Sequence, residues 1–199
     1  MTPVRSVPRL RPGLREPVLD SQRIFRAALE AFSHPGRAIA VPVDIDAPAP
    51  LEPSTAAFLL AMADFETPLW LQDAEPAVVE YVRFHCGVPL VEHPREARFA
   101  LATNPATMPG LDRYDPGAPD YPDRSTTLLI QVPRAGRGLP VTLHGPGIRD
   151  AAMLDLGGLK PDFWAQWKRN EALFPCGVDV LFMCGNLFYA LPRTTKAEV

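Results

Sequence analysis

Apolar side chains at Ile24, Phe25, Ala28, Leu29 and Phe32 recur at helical spacing. Asp20 or Ser21 stands where an N-cap belongs, and Pro35 with Gly36 stops the helix. A short strand over 38–41 comes next. Ser54 heads a second helix that runs to Met62 with Phe58, Leu59 and Met62 on its buried side, and 67–71 reads as the strand after it. A third helix spans 75–86 and ends at Gly87, followed by a strand over 98–103. After a long excursion over 104–124, strands are expected at 126–132 and 141–144 and a late helix at 162–173. The closing pair, 178–184 and 187–191, is joined by Gly185 and Asn186 as a hairpin turn. No internal repeat interrupts this order.

The runs TLLIQV (127–132) and VDVLFM (178–183) are almost continuously apolar, as in strands covered on both faces. Interleaved with helices and ended by a hairpin, they predict an α/β fold with a mixed central sheet flanked by helices. At 199 residues, one domain over 20–199 is expected. Residues 1–19, rich in proline and arginine, read as a flexible arm. The 24 prolines concentrate there, at 42–53 and at 105–122, where they mark loops and extended connections. The excursion over 104–124 exceeds an ordinary connection, so it is functional, wrapped over the surface, in contact with another subunit, or a disordered loop. Ordering on partner binding is the specific expectation for it.

A net charge of -3 offers no field to hold DNA or RNA, so nucleic acid is not an expected partner. The longest mostly apolar stretch, 56–63, falls far short of the roughly 20 residues that cross a bilayer. No apolar core of a signal peptide follows the arginines of the first fifteen residues, which points to the cytoplasm. Cys86, Cys176 and Cys184 form an odd, unpaired set that reads as reduced thiols used in packing.

Several catalytic schemes fail on their own requirements. Gly145-Pro146-Gly147 follows a strand but lacks the lysine and the donors of a phosphate cradle, so it reads as a tight turn. Three scattered cysteines do not suit an iron-sulfur centre. His85, Cys86 and His93 lack a fourth ligand and the paired spacing of a zinc site, and no metal is expected. As neighbours on a helix, His85 and Cys86 point about 100° apart and do not make a base and its nucleophile. Schiff-base chemistry would have to use Lys160, Lys168 or Lys196, all late in the chain. What remains is a polar and cationic set: Arg83 and His85 on the third helix, Arg149 after the glycine turn, and Arg193 with Thr194 and Thr195 near the end. Guanidinium groups grip phosphate or carboxylate through paired hydrogen bonds, and threonines add neutral donors. Solvated surface residues are the commoner outcome for such groups.

The segment Phe174, Pro175, Cys176, Gly177, Val178, Asp179, then Cys184, Gly185 and Leu191, Pro192, Arg193, Thr194, Thr195, resembles the closing signature of the PhnH family. Phe25, Arg26, Ser33, Pro35 and Gly36 resemble the family's first helix and turn. Ala63, Asp64, Thr67, Pro68, Leu69 and Trp70 resemble its second helix and strand, and Arg83, Phe84, His85, Gly145, Gly147 and Ile148 also match. The arginine-rich start and 104–113 match nothing in that pattern, and it is loose at His144 and Lys196. The resemblance implies a cytoplasmic subunit that pairs with itself and joins PhnG, PhnI and PhnJ type partners in the core of the carbon-phosphorus lyase. Its implied fold is that of the pyridoxal-phosphate-dependent transferases without the cofactor. The assembly is expected to join an alkylphosphonate to the ribose of ATP, releasing adenine and forming a ribose 1-alkylphosphonate 5-triphosphate. A partner with an iron-sulfur cluster and S-adenosylmethionine then splits the carbon-phosphorus bond, and this chain itself carries no cofactor and no assigned catalytic residue. Three roles compete: an interaction subunit, a contributor of Arg83, His85 and Arg193 to an anion site, and an independent hydrolase using Cys86.

Overall fold

The architecture follows from strands that are apolar on both faces. In the computed structural model, which describes residues 10–199, the chain runs α1 (Pro17–Ser33), β1 (Ile39–Ala40), α2 (Pro53–Met62), β2 (Leu69–Leu71), α3 (Pro76–Cys86) and β3 (Phe99–Ala102). It continues through β4 (Thr127–Gln131), β5 (Val141–His144), β6 (Ala152–Leu154), α4 (Phe163–Glu171), β7 (Asp179–Cys184), β8 (Leu187–Leu191) and β9 (Lys196–Glu198). The central sheet has the order β1-β8-β7-β4-β3-β2. β2, β3, β4 and β7 are parallel, while β8 returns antiparallel beside β7 and β1 lies antiparallel to β8. The sheet is mixed, as expected from the closing hairpin.

Strand pleating divides the core into two layers, because successive side chains point to opposite faces. Leu101, Leu129, Leu181, Met183, Phe188 and Ala190 join α1, α2 and α3 in one buried cluster. Ala100, Leu128, Ile130, Val180, Phe182 and Leu191 join α4, β5 and the 108–114 segment in the other. The registers Leu129↔Leu181 and Leu128↔Val180 keep like faces together. A one-residue slip would send each set into the wrong layer.

Five expectations need correction. First, α1 begins at Pro17, three residues before the expected cap. Asp20 is buried inside the helix, and its carboxylate reaches back to accept the N–H of Glu16 at 2.9 Å. Residues 17–19 of the expected arm are thus helical, and Leu10 and Leu14 pack against the core. Arg5 and Arg9 lie outside the described residues. Second, α2 opens with Pro53, whose missing N–H suits a first turn, and Ser54 makes no cap bond: it is buried and its N–H donates to the carbonyl of Gly185 at 3.0 Å. Third, β5 does not enter the central sheet but pairs with β6 and β9 in a second, three-stranded sheet. β6 and β9, three residues each, are too short for an alternation to register. Fourth, the excursion is neither a disordered loop nor a segment waiting for a partner. Met108, Leu111 and Tyr114 are buried in the second layer, and the amide of Gln166 accepts the N–H of Leu111 at 2.8 Å. Fifth, β1 is two residues long where four were expected.

Candidate functional site

Arg193 lies two residues beyond β8, opposite the start of β7. Its side chain is only 13% exposed, and that of Asp179, the first residue of β7, is 22% exposed. A guanidinium carries five N–H donors, and here each has an acceptor within the chain. Nε donates to Asp179 Oδ1 at 3.1 Å, and one Nη2 hydrogen goes to Asp179 Oδ2. The other Nη2 hydrogen serves Ser125 Oγ at 2.6 Å, while Nη1 serves the carbonyls of Pro122 at 2.8 Å and Pro175 at 3.4 Å. The backbone N–H of Arg193 also donates to Asp179 Oδ1 at 2.8 Å. One side chain therefore ties together the end of the excursion, the α4–β7 connection, the head of β7 and the tail of β8. The pairing is fork-on-carboxylate and charge-assisted, and it leaves no donor for a ligand.

The other expected residues are dispersed. Thr195 is fully buried; its Oγ1 has no partner among the described residues, while its carbonyl accepts the indole N–H of Trp167 at 2.9 Å. Thr194 is half-buried, and Arg149 is exposed in the β5–β6 turn. Arg83 is exposed on α3. His85 donates from Nε2 to the carbonyl of Arg11 at 2.9 Å and stacks edge-on against Tyr81. No hydrogen bond, ion pair or cavity lining joins Arg83 and His85 to Arg149 or Arg193 among the described residues.

Cys86 sits at the end of α3 with its thiol donating to the carbonyl of Leu59 at 3.5 Å. Burial pushes this thiol up to about 11, so it is protonated at neutral pH, the opposite of an activated nucleophile. Tyr81 is pushed up to about 12 by burial, with smaller contributions from Cys86 and Asp46. His85, Cys86 and His93 do not gather into a group able to hold a metal among the described residues.

The fold does bring distant motifs together. At Gly147 the backbone takes φ +82°, and a Cβ there would collide with the carbonyl oxygen of Ser33 at the end of α1. Pro35 packs on the same glycine, and Thr194 lies against Gly145. The N–H of Gly36 donates to the carbonyl of Ala190 in β8 at 3.2 Å. The end of α1, the Gly-Pro-Gly turn and the closing threonines, far apart in sequence, form one packed corner.

Comparison with known proteins decides what this set of motifs belongs to. The profile of a family described as "Bacterial phosphonate metabolism protein (PhnH)" matches residues 12–198. The chain belongs to the PhnH family. It is 35% identical, over 185 residues that cover 92% of each chain, to a Rhizobium meliloti protein named alpha-D-ribose 1-methylphosphonate 5-triphosphate synthase subunit PhnH. It is 29% identical over 179 residues, 89% of this chain and 86% of the other, to HtxG of Stutzerimonas stutzeri, a protein assigned provisionally by its name to C-P lyase as a subunit. The closing PhnH-like signature contains both halves of the Arg193–Asp179 pair, but sequence alone does not show that the two meet. Ser125 and the carbonyls of Pro122 and Pro175 carry no sequence signal for this role. A backbone acceptor has no residue type, and a serine after a proline-rich run is common.

Proposed function

We propose that this PhnH protein is a non-autonomous subunit of the assembly that makes α-D-ribose 1-alkylphosphonate 5-triphosphate from ATP and an alkylphosphonate with release of adenine. Its own part is structural: it holds partner subunits of the PhnG, PhnI and PhnJ type in place, as a self-pair in the cytoplasm. The Rhizobium meliloti relative, named as a synthase subunit and matched over 92% of both chains, supports the place in the assembly. What supports the structural part is above all Arg193, the strongest cation of the closing signature, whose N–H groups are all committed within the chain. Cys86, protonated by burial, gives no support to an independent hydrolase.

The surface fits a subunit. Val18, Phe25 and Leu29 leave an exposed apolar stripe on the side of α1 away from its buried face, and Phe65, Phe84 and Phe174 are exposed elsewhere. A contiguous apolar stripe such as that on α1 is what an interaction surface presents, whereas singly exposed phenylalanines are ordinary. The same reading keeps the body as a pyridoxal-phosphate transferase fold without its cofactor. In its support, Lys160 is tied to the carbonyl of Met108, and Lys168 and Lys196 lie exposed on α4 and β9.

The test is adenine release from ATP in the presence of methylphosphonate. The expected result is none from the isolated chain, release by the assembly with its partner subunits, and loss of that release when this chain is left out. Turnover by the isolated chain would overturn the proposal.

A further inference from the structure

Between the excursion and α4 lies a cavity of about 270 Å³ lined by Leu111, Tyr114, Pro116 and Leu173, with Arg95 and Arg169 beside it. It opens into a larger groove of about 690 Å³ that shares Arg95 and Asp112 and adds His93 and Arg113. The amides in the cavity wall are already used. Gln166 is bonded to Leu111 and Asp162, and Asn170 holds both the N–H and the carbonyl of Val178. The guanidinium groups are not: among the described residues no carboxylate lies within ion-pair distance of Arg95, Arg113 or Arg169. Among the described residues the arginines that are paired are Arg11, Arg15, Arg23, Arg37 and Arg193. The hydroxyl of Tyr114, a residue 1% exposed, also has no partner among the described residues. The lining residue Leu173 is 50% exposed, and its neighbour along the chain, Phe174, is 65% exposed.

An apolar hollow the size of one large side chain, ringed by unpaired arginines and lined in part by a half-exposed leucine, has the anatomy of a protein interface centre. We infer that this surface docks an acidic segment of a partner subunit, with one aromatic or aliphatic side chain in the cavity and flanking carboxylates on Arg95, Arg113 and Arg169. Charge complementarity selects the occupant. Three unpaired guanidiniums spread along a groove call for several separated anions, and desolvated arginine-carboxylate forks are the contacts that arginine favours at interfaces. Asp112 and Glu96 also line the groove, so the partner segment carries an interspersed cation or amide to meet them.

This inference rests on the subunit reading and names the surface it uses. The test compares the wild-type chain with Arg95→Glu/Arg169→Glu and with Leu173→Glu, each coexpressed with the partner subunits and passed over a sizing column. Both arginines are exposed and Leu173 is half-exposed, and unchanged melting curves would show the variants folded. Arg134→Glu, an exposed charge reversal elsewhere, serves as the control. The expected result is co-elution of wild type and control, with both cavity variants reduced ten-fold or more in the co-eluting fraction. Folded cavity variants that co-elute like wild type would overturn the docking surface while leaving the subunit reading intact. So would variants that change only the self-association of the chain, which would make a second copy the occupant. Failure of the wild type itself to co-elute would remove both.

Discussion

At the scale of single residues, the weight falls on Arg193 and Cys86. Removing one member of a buried charge pair leaves the other unpaired and costs far more than the pair contributes net. Arg193→Ala takes the guanidinium from Asp179, leaving its carboxylate the backbone N–H of residue 193, and frees the carbonyls of Pro122 and Pro175 and the hydroxyl of Ser125. It is expected to destabilise the isolated chain by about 3 kcal/mol, read as a lower urea midpoint with an unchanged slope. Arg193→Lys recovers only part of this, because a lysine has three donors on a point charge and cannot span the same acceptors. The Cys86 thiol ionises near 9.0 when unfolded and near 11 when folded. Between those values the unfolded chain holds fewer protons than the folded one, so stability falls as pH rises. The contribution is complete below pH 9 and gone above pH 11, and amounts to about 2 to 3 kcal/mol at most. In thermal melts from pH 8 to 11, Cys86→Ser is expected to lose less stability than wild type. Equal slopes would contradict the assignment, since Tyr81, raised in the same direction, is common to both.

At the scale of elements, legibility followed from how far each signal had to reach. The strands 127–132 and 178–184 and the closing hairpin are legible in the sequence because burial on both faces leaves a nearly continuous apolar run. Helix α3 was bounded within one residue, because Gly87 takes the left-handed conformation at its end. The start of α1 was displaced by a buried acid. Asp20 looks like a cap in sequence, yet it serves Glu16 from inside the helix. The ordering of the excursion was hidden because its anchors, Gln166 and Arg193, lie some 55 and 68 to 71 positions further along. Of the residues expected at a site, Arg193 and Thr195 were legible as distinctive, but not as internal. The acceptors that consume Arg193 are largely backbone atoms. The corner between α1 and the β5–β6 turn gives an element-scale prediction. Gly147→Ala forces a Cβ into the carbonyl of Ser33 at a positive φ, and is expected to destabilise by more than the roughly 1 kcal/mol of an ordinary glycine replacement. Calorimetry would detect this as a drop of several degrees in Tm, and an unchanged Tm would contradict the packing described for that corner.

At the scale of the whole molecule, the chain devotes its most distinctive polar residues to holding its own layers together and turns apolar side chains outward. The paired guanidinium at the foot of β7 and β8 secures the second layer, which includes the excursion and α4. The exposed stripe of α1 covers the other side. Exposed side chains contribute little to the stability of an isolated chain, so Phe25→Ser with Leu29→Ser is expected to leave the urea midpoint almost unmoved. A large loss would mean that the α1 stripe is packed in the isolated chain. A PhnH subunit that works through contacts should therefore fail, when altered, by failing to assemble. The most direct measurement is adenine release per assembled particle with Arg193→Ala in place of wild type. The account predicts fewer assembled particles and normal activity in each one that forms. A full complement of assembled particles, each with activity reduced a hundred-fold or more, would contradict it and make Arg193 part of the reacting site.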